Sequence, residues 1–398
     1  MLGHHPTRRG VLLGLGAVAA WSLMPRPGLA AAGRDPRYLT IIMRGALDSL
    51  AAVAPTFDPD YQRIRAGSLI GEDGNLAGLP LGSGYVLNPH LSTFHELYKG
   101  GQALVVHAVA SPYRDRSHFD GQDVLESGMP GVGRVRNGWL NRAIATLPAG
   151  GRVHAEGLGI GATVPLIMMG EAPVATWMPT VGASASEDIR MRLLDLYERT
   201  DQRLADALRQ SAYIDGISGG IMPRGPARND FLVGMEAVGR LFAAPNGPRV
   251  GSIDLNGFDT HVNQGPVTGQ LGARLGELDS GLKTLRDGLG EAWKDTVVTV
   301  ITEFGRTAHM NGNLGTDHGT ATLAFVVGGA VRGGRVIADW PGLAETRLYQ
   351  GRDLMPTTDL RAVLKGTLHD HLGIGEQLLA DRVFPQSAAV RPMADLVA

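Results

Sequence analysis

Residues 297–320 read VVTVITEFGRTAHMNGNLGTDHGT, an apolar stretch that runs directly into Glu303, Arg306, His309, Asp317 and His318. Further upstream, GFDTH supplies Asp259 and His261. Carboxylate oxygens and imidazole nitrogens are the donors that divalent ions take, with the nitrogens suiting zinc and the oxygens suiting manganese or calcium. Asp259, His261, Glu303, Asp317 and His318 therefore form a candidate ligand set for zinc, manganese or calcium. Taken alone, an Asp-x-His triplet reads better as an aspartate capping a turn beside a solvated histidine, so the combination carries the reading. Arg44 and Arg306 have the forked geometry to hold an anionic substrate group, or else to be neutralised by Glu303 or Asp48. In RSHFDGQD, Ser117 with Asp120 three residues on has the pattern of a helix N-cap. A hydroxyl at that place, beside a metal, is also a candidate nucleophile, and His118 is a candidate ligand or general acid/base. Spacing gives His309 no partner, and it reads as a solvated loop residue.

These groups need elements that bring them together. Apolar runs predict strands at RYLTIIMRG, ALVVHAVA (103–110), VGSIDL (250–255), TVVTVITEF (296–304) and TLAFVVGG (322–329). Helical periodicity is predicted over 90–100, 138–147, 271–293 and 357–374. Strands alternating with helices imply an α/β fold, a mostly parallel sheet flanked by helices. Ligands in such sheets bind beyond the carboxyl ends of the strands, and here a polar loop follows each of four strands, so the loops are expected to meet on one rim. Residues 187–244 break the alternation and are expected to form a helical insertion, a lid over the sheet's edge. His107, inside an apolar strand, reads as a core histidine, and His369 and His371 as helix surface. GISGG (216–220) lacks the strand that would make Ser218 an exposed nucleophile. GLGIGA (157–162), with Pro165 following, reads as a glycine-rich connection and not as a dinucleotide loop.

At the amino terminus, TRRGVLLGLGAVAAWSLM pairs Arg8 and Arg9 with a short apolar run and a small-residue site near Ala32. This is the pattern of a cleaved twin-arginine signal over residues 1–32, followed by a single domain over 33–398. The run from Val11 to Met24 falls short of the ~20 apolar residues a spanning helix needs, so no stable membrane span is expected after cleavage. A periplasmic or secreted location follows. The chain has no cysteine, which excludes disulfides, thiolate ligands and cysteine nucleophiles. A formal net charge of -2 gives no basic excess for a nucleic-acid surface.

The order of motifs resembles the alkaline-phosphatase and sulfatase superfamily. The segment NPHLSTFHELYKGGQALVVHAVASPYRDRSHFDGQDVLESG is similar to that group's helix, strand and nucleophile-bearing helix start. DTVVTVITEFGRT resembles its strand ending in a metal-binding Asp-His pair, DHG its later ligand, and MPTTDLRAVLKGTLHDHLGI its closing helix. More closely, RGALDSL, SHFDGQD, GWLNR, GFDTH, EFGRT and DHG, in this order after a twin-arginine start, resemble the exported family known as domain of unknown function 1501. The resemblance implies an alkaline-phosphatase-like fold but supplies no activity. The ionisable residues themselves are read as those of a metal-dependent hydrolase or transferase acting on an anionic phosphate or sulfate ester, small or polymeric. Asp259, His261, Glu303 and His318 would hold metal, Ser117 would attack, and Arg44 or Arg306 would clamp the anion. Two departures stand out. The superfamily's aspartate after the first strand is Arg44 here, leaving Asp48 as the nearest substitute, and its Asp-His pair becomes Glu303 and Phe304. The alternative is a non-catalytic relative that binds an envelope protein partner or a ligand at the same rim.

Overall fold

The computed structural model describes residues 34–66, 68–71, 77–133, 135–148, 156–178, 186–219, 221 and 230–398. The expected signal, 1–32, lies outside the described residues. Strand β1 is Arg37–Arg44, and Val53–Pro55 (β2), Leu79–Gly82 (β3) and Tyr85–Leu87 (β4) form a small separate antiparallel sheet. The main sheet continues with β5 (Ala103–Ala110), β6 (Gly157–Ile160), β7 (Val174–Trp177), β8 (Val250–Asn256), β9 (Thr296–Ile301) and β10 (Thr322–Val327). The short strands β11 (Arg335–Ile337) and β12 (Thr358–Asp359) complete it. Its order is β11-β5-β10-β9-β1-β8-β6-β7, with β12 paired to β5.

β1 lies at the centre, parallel to β8 with Tyr38 opposite Val250, and parallel to β9 with Arg37 opposite Thr296. Among the described strands of this sheet only β10 runs the other way, antiparallel to both β9 and β5. Strands covered on both faces read as unbroken apolar runs, which is why β1, β5 and β9 are legible in the sequence. Alternate residues of β1 serve opposite faces. Leu39, Ile41 and Met43 join one core with Phe94 of α1 (Ser92–Lys99). Tyr38 and Ile42 join the other, with Trp139 and Leu140 of α3 (Trp139–Thr146). Between these helices in the chain lies α2 (His118–Ser127), which carries part of the site.

The described parts of 187–244 are helical, in α4 (Glu187–Thr200), α5 (Gln202–Ser218) and α6 (Asp230–Ala243). They differ in role. α4 has no buried residue, whereas α6 buries Phe231, Met235, Val238 and Leu241 in the first core together with Leu275, Leu282 and Leu285 of α7 (Gln270–Leu289). α6 is thus a layer of the core and not a lid. Ser218 is buried at the end of α5, its hydroxyl donating to the Ile214 carbonyl, in keeping with its lack of a nucleophile's setting.

Two expectations are corrected. Gly157–Ile160 is not a connection but strand β6, between β7 and β8. Its glycines hid it: a Cβ at Gly157 would meet Val174 at 2.8 Å and Ile144 at 3.0 Å, so close packing excludes the side chains that announce a strand. His371, on α8 (Leu360–Leu372), is not surface but fully buried, and its Nε2 donates to the Arg37 carbonyl at 2.9 Å. His107 is buried as expected. Its Nε2 donates to the Val53 carbonyl at 3.1 Å, and burial pulls its pKa down to about 4.

Candidate metal centre

The carboxyl ends of β1, β5, β8 and β9 point the same way, and the loops that leave them carry Gly45, Ser117 and His118, Asp259 and His261, and Glu303. His318 precedes its strand instead of following it. It reaches the same rim because β10 is antiparallel, so that strand's amino end lies where its neighbours' carboxyl ends lie.

Three donor atoms meet there. Nε2 of His118 and Nε2 of His318 are 3.0 Å apart, and Oδ1 of Asp259 lies 3.4 Å from the first and 3.2 Å from the second. Nε2 of His261 adds a second triangle on the same edge, 2.9 Å from Asp259 Oδ1 and 3.0 Å from His318 Nε2. Donors bound tetrahedrally at zinc distances stand roughly 3.3 Å from each other, so these separations suit a small divalent ion.

The far side of each ring strengthens the case. His118 Nδ1 faces Glu303 Oε1 at 2.8 Å, His261 Nδ1 faces Asp317 Oδ1 at 3.1 Å, and His318 Nδ1 faces the Arg116 carbonyl at 2.9 Å. Each partner is an acceptor, so each Nδ1 carries the proton and each Nε2 presents a lone pair to the others. Lone pairs 3.0 Å apart repel unless a cation or a proton lies between them. Of the rings, His118 is the one favoured to take such a proton. The hydrogen bond to Glu303 raises its pKa against the opposing effect of burial, while burial lowers that of His318. Burial pushes the Asp259 pKa up, but the hydrogen bond and charge of Arg306 outweigh it and bring it down to about 2. Asp259 is thereby held as a carboxylate.

Backbone constraint positions these groups. Gly45 has φ of 114°, and a Cβ there would collide with the backbone nitrogen of Asp259, so only glycine lets the β1 and β8 loops touch. Arg116 sits in the left-handed region at φ 62°, an uncommon conformation for a side-chain-bearing residue, while its carbonyl meets His318. Phe304 stacks on the His118 ring, centroids 4.9 Å apart and planes 29° apart.

Several sequence-derived assignments change in the structure. Glu303 is fully buried, and its oxygens already accept from His118, from Gly45 N at 2.9 Å and from Thr302 Oγ1 at 2.9 Å. It supports a ligand and does not face the donor cluster. Asp317 does the same for His261 while accepting from Asn311 Nδ2 at 3.1 Å. Asp48 lies away from the centre. Arg65 holds both its oxygens, at 2.5 and 2.8 Å, Gln264 donates to it at 2.6 Å, and it caps the short helix Ser49–Ala52. Neither arginine is free to clamp an anion. Arg44 is paired with Glu126 at 2.7 Å and Asp254 at 3.0 Å. The Arg306 side chain is fully buried, at 2.7 Å from Asp259 and bonded to the side chain and carbonyl of Thr316. Ser117 occupies the N-cap position of α2 without a capping bond, and its backbone N–H donates to Tyr113 Oη. His118 belongs with the donors. His309 is partly exposed, 3.3 Å from Glu345.

Sequence reasoning missed the Arg116 carbonyl, which no residue type could signal, and Gln122, whose amide donates to Glu303 at 3.3 Å. Gln122 stands four residues after His118 on one helix face, a spacing that could have marked it.

No curated protein matches the chain. Among solved structures, Ps i-CgsB in complex with k-i-k-neocarrahexaose is similar at 10% identity over 90% of this chain and 77% of that one, with a TM-score of 0.42. A 2-O GAG sulfatase shares 11% identity over 85% and 71%, with a TM-score of 0.39. A protein in the alkaline phosphatase superfamily from Vibrio parahaemolyticus shares 13% over 96% and 78%, with a TM-score of 0.36. The family model described as protein of unknown function (DUF1501) matches residues 102–382, a span that carries all four converging donors. The chain belongs to the DUF1501 family.

Proposed function

We propose that this protein is a metal-dependent hydrolase or transferase acting on a phosphate or sulfate ester, exported by the twin-arginine route to the periplasm or beyond. The observation that carries the reading is the convergence of imidazole Nε2 lone pairs and one carboxylate oxygen while every Nδ1 is occupied from behind. Such an arrangement is costly to hold together without a cation. His118, Asp259 and His318 would bind the ion, with His261 as a further donor, and zinc suits this nitrogen-rich set better than calcium or manganese. A divalent ion held there would supply Lewis-acid polarisation of an ester oxygen. Ser117, directly before His118, offers the attacking hydroxyl, and it is not consumed in capping α2.

A second reading, a ligand- or envelope-partner-binding protein built on the same rim, is favoured by one observation: both candidate anion clamps are already paired with carboxylates. Elemental mass spectrometry on the protein purified from the periplasm separates the readings, followed by an ester panel. A stoichiometric divalent metal, lost in Asp259→Ala, together with turnover that Ser117→Ala abolishes, is the outcome expected of the enzyme. Metal with no turnover on any phosphate or sulfate ester would favour the binding protein. No metal, with no uptake of added zinc, would remove the metal centre itself.

A further inference from the structure

Asp48 lies away from the donors, yet it heads a hydrogen-bonded chain that ends on one of them. Its carboxylate accepts from both Nη atoms of Arg65 and, at 2.6 Å, from Gln264 Nε2. Gln264 Oε1 accepts from Thr260 Oγ1 at 2.9 Å and from Thr316 Oγ1 at 2.6 Å. Thr316 Oγ1 in turn accepts from Arg306 Nε at 3.1 Å, and Arg306 Nη1 donates to Asp259 Oδ1 at 2.7 Å. Asp48, Arg65, Gln264, Thr316 and Arg306 are each no more than 2% exposed, whereas the Asp259 side chain is 44% exposed. The chain crosses three loops, with Asp48 after β1, Gln264 after β8, and Arg306 and Thr316 between β9 and β10.

The donors and acceptors that each side chain owns fix the direction of every link. A carboxylate paired with arginine only accepts, so the amide nitrogen of Gln264 faces Asp48 and its oxygen faces the threonines. Thr316 commits its single proton to that oxygen, which leaves a lone pair for the Nε–H of Arg306. Arg306 Nη2 donates to the Thr316 carbonyl, so two of its three nitrogens are held from behind. The third, Nη1, meets Asp259 and, more distantly, the Gly45 carbonyl at 3.5 Å. A half-exposed aspartate ordinarily samples several rotamers. Here, turning Oδ1 away from the histidine nitrogens would break a charge-assisted bond to a guanidinium that cannot follow it.

We infer that Gln264 and Thr316 are positioning residues of the metal centre: anchored on Asp48, they fix Arg306 and, through it, the orientation of the Asp259 carboxylate toward the ion. This rests on the metal-centre reading above and adds the device that holds its carboxylate ligand. The side chains of Gln264 and Thr316 bond to none of His118, Asp259, His261 and His318, so any effect they have on the ion passes through Arg306.

The test measures zinc affinity by competition with a chromophoric chelator, and the visible bands of the cobalt(II)-loaded protein, which report the number and geometry of the ligands. Thr316→Val keeps the shape and removes the hydroxyl, and Gln264→Met removes the amide. Each should weaken zinc binding about tenfold, as loss of outer-shell support does, and move the cobalt bands toward those of Asp259→Ala. Thr316→Ser restores the hydroxyl and should bind zinc within about twofold of wild type. A purely structural role would lower the melting temperature of the metal-free protein and leave zinc affinity and cobalt bands at wild-type values. That result in Thr316→Val, or in Gln264→Met should the first variant not fold, would overturn the inference and leave the metal centre standing. So would a loss that Thr316→Ser shares in full. Failure of the wild type to take up zinc would overturn both.

Discussion

Replacing Glu303 by glutamine isolates one charge behind one ligand. Glu303 is fully buried, and its Oε1 accepts from His118 Nδ1 at 2.8 Å, Gly45 N at 2.9 Å and Gln122 Nε2 at 3.3 Å. Its Oε2 lies 2.9 Å from Thr302 Oγ1, which also donates to the Met43 carbonyl at 2.7 Å. A hydroxyl has one proton, so in Glu303→Gln the new amide can donate to Thr302 Oγ1 while that proton stays with Met43. The glutamine carbonyl keeps the three donors at Oε1. Shape and hydrogen bonds survive, and only the negative charge is lost. Burial alone would push the carboxyl toward its neutral form, but the bonds from His118, Gly45 and Thr302 lower its pKa and keep it charged in the wild type. Loss of a supporting carboxylate of this kind weakens metal binding by about 10- to 100-fold, or roughly 1.4–2.7 kcal/mol. Competition between the protein and a chromophoric chelator for zinc measures it, with the melting temperature of metal-free protein as the control for folding. Zinc affinity within about twofold of wild type, at unchanged melting temperature, would refute the argument that Glu303 charge tunes His118. Glu303→Ala should act differently, leaving His118 Nδ1 and Gly45 N without an acceptor and lowering the melting temperature by an equivalent of about 1–3 kcal/mol for each.

Other consequences are open to measurement. Zinc must displace the proton that His118 holds with a raised pKa, so binding should release protons, and affinity should fall about tenfold per pH unit once that ring is protonated; a pH-independent affinity between pH 5 and pH 8 would contradict the lone-pair argument. Gly45→Ala places a Cβ against the backbone of Phe258 and Asp259 at φ 114°, and should cost at least about 1–3 kcal/mol in chemical denaturation while abolishing stoichiometric zinc. A stable, zinc-replete variant would show that the two loops need not touch. Burial lowers the pKa of His107 and of His371 to about 4 from 6.5. The unfolded chain therefore binds more protons below pH 6.5, so stability is full above that pH and is lost as pH falls toward 4, by about 2 kcal/mol per histidine at pH 5. Urea melts at pH 7 and pH 5 should show a smaller acid loss in His107→Gln than in wild type, and equal losses would count against a neutral buried His107.

How much of this was legible beforehand follows from what each signal encodes. β1, β5, β8, β9 and β10 were visible because strands buried on both faces need unbroken apolar runs. β6 was invisible because Val174 and Ile144 crowd Gly157 and leave room only for glycine. The donor-bearing loops were legible from the rule that sites follow strands, but spacing could not separate residues that face the centre from those that stand behind it. Asp259 and Asp317 each precede a histidine or lie two residues from one, yet one converges with the donors and the other orients His261. Arg44 looked like an anion clamp because its partners, Glu126 and Asp254, are far from it in sequence and adjacent only once α2 and β8 have packed. His371 was misread for the same reason: its acceptor is the carbonyl of Arg37, at the other end of the chain.

The reversed direction of β10 has a consequence beyond geometry. It brings His318 to the point that His118 and Asp259 reach from two other, widely separated parts of the chain, so an ion bound there would act as a cross-link in a protein that has no cysteine to make one. Such a clasp closes two long segments at once and disfavours the unfolded chain, as a long-range disulfide does. No fragment ending before His318 carries the complete set of donors, so capture of the ion waits for the segment that leads into β10.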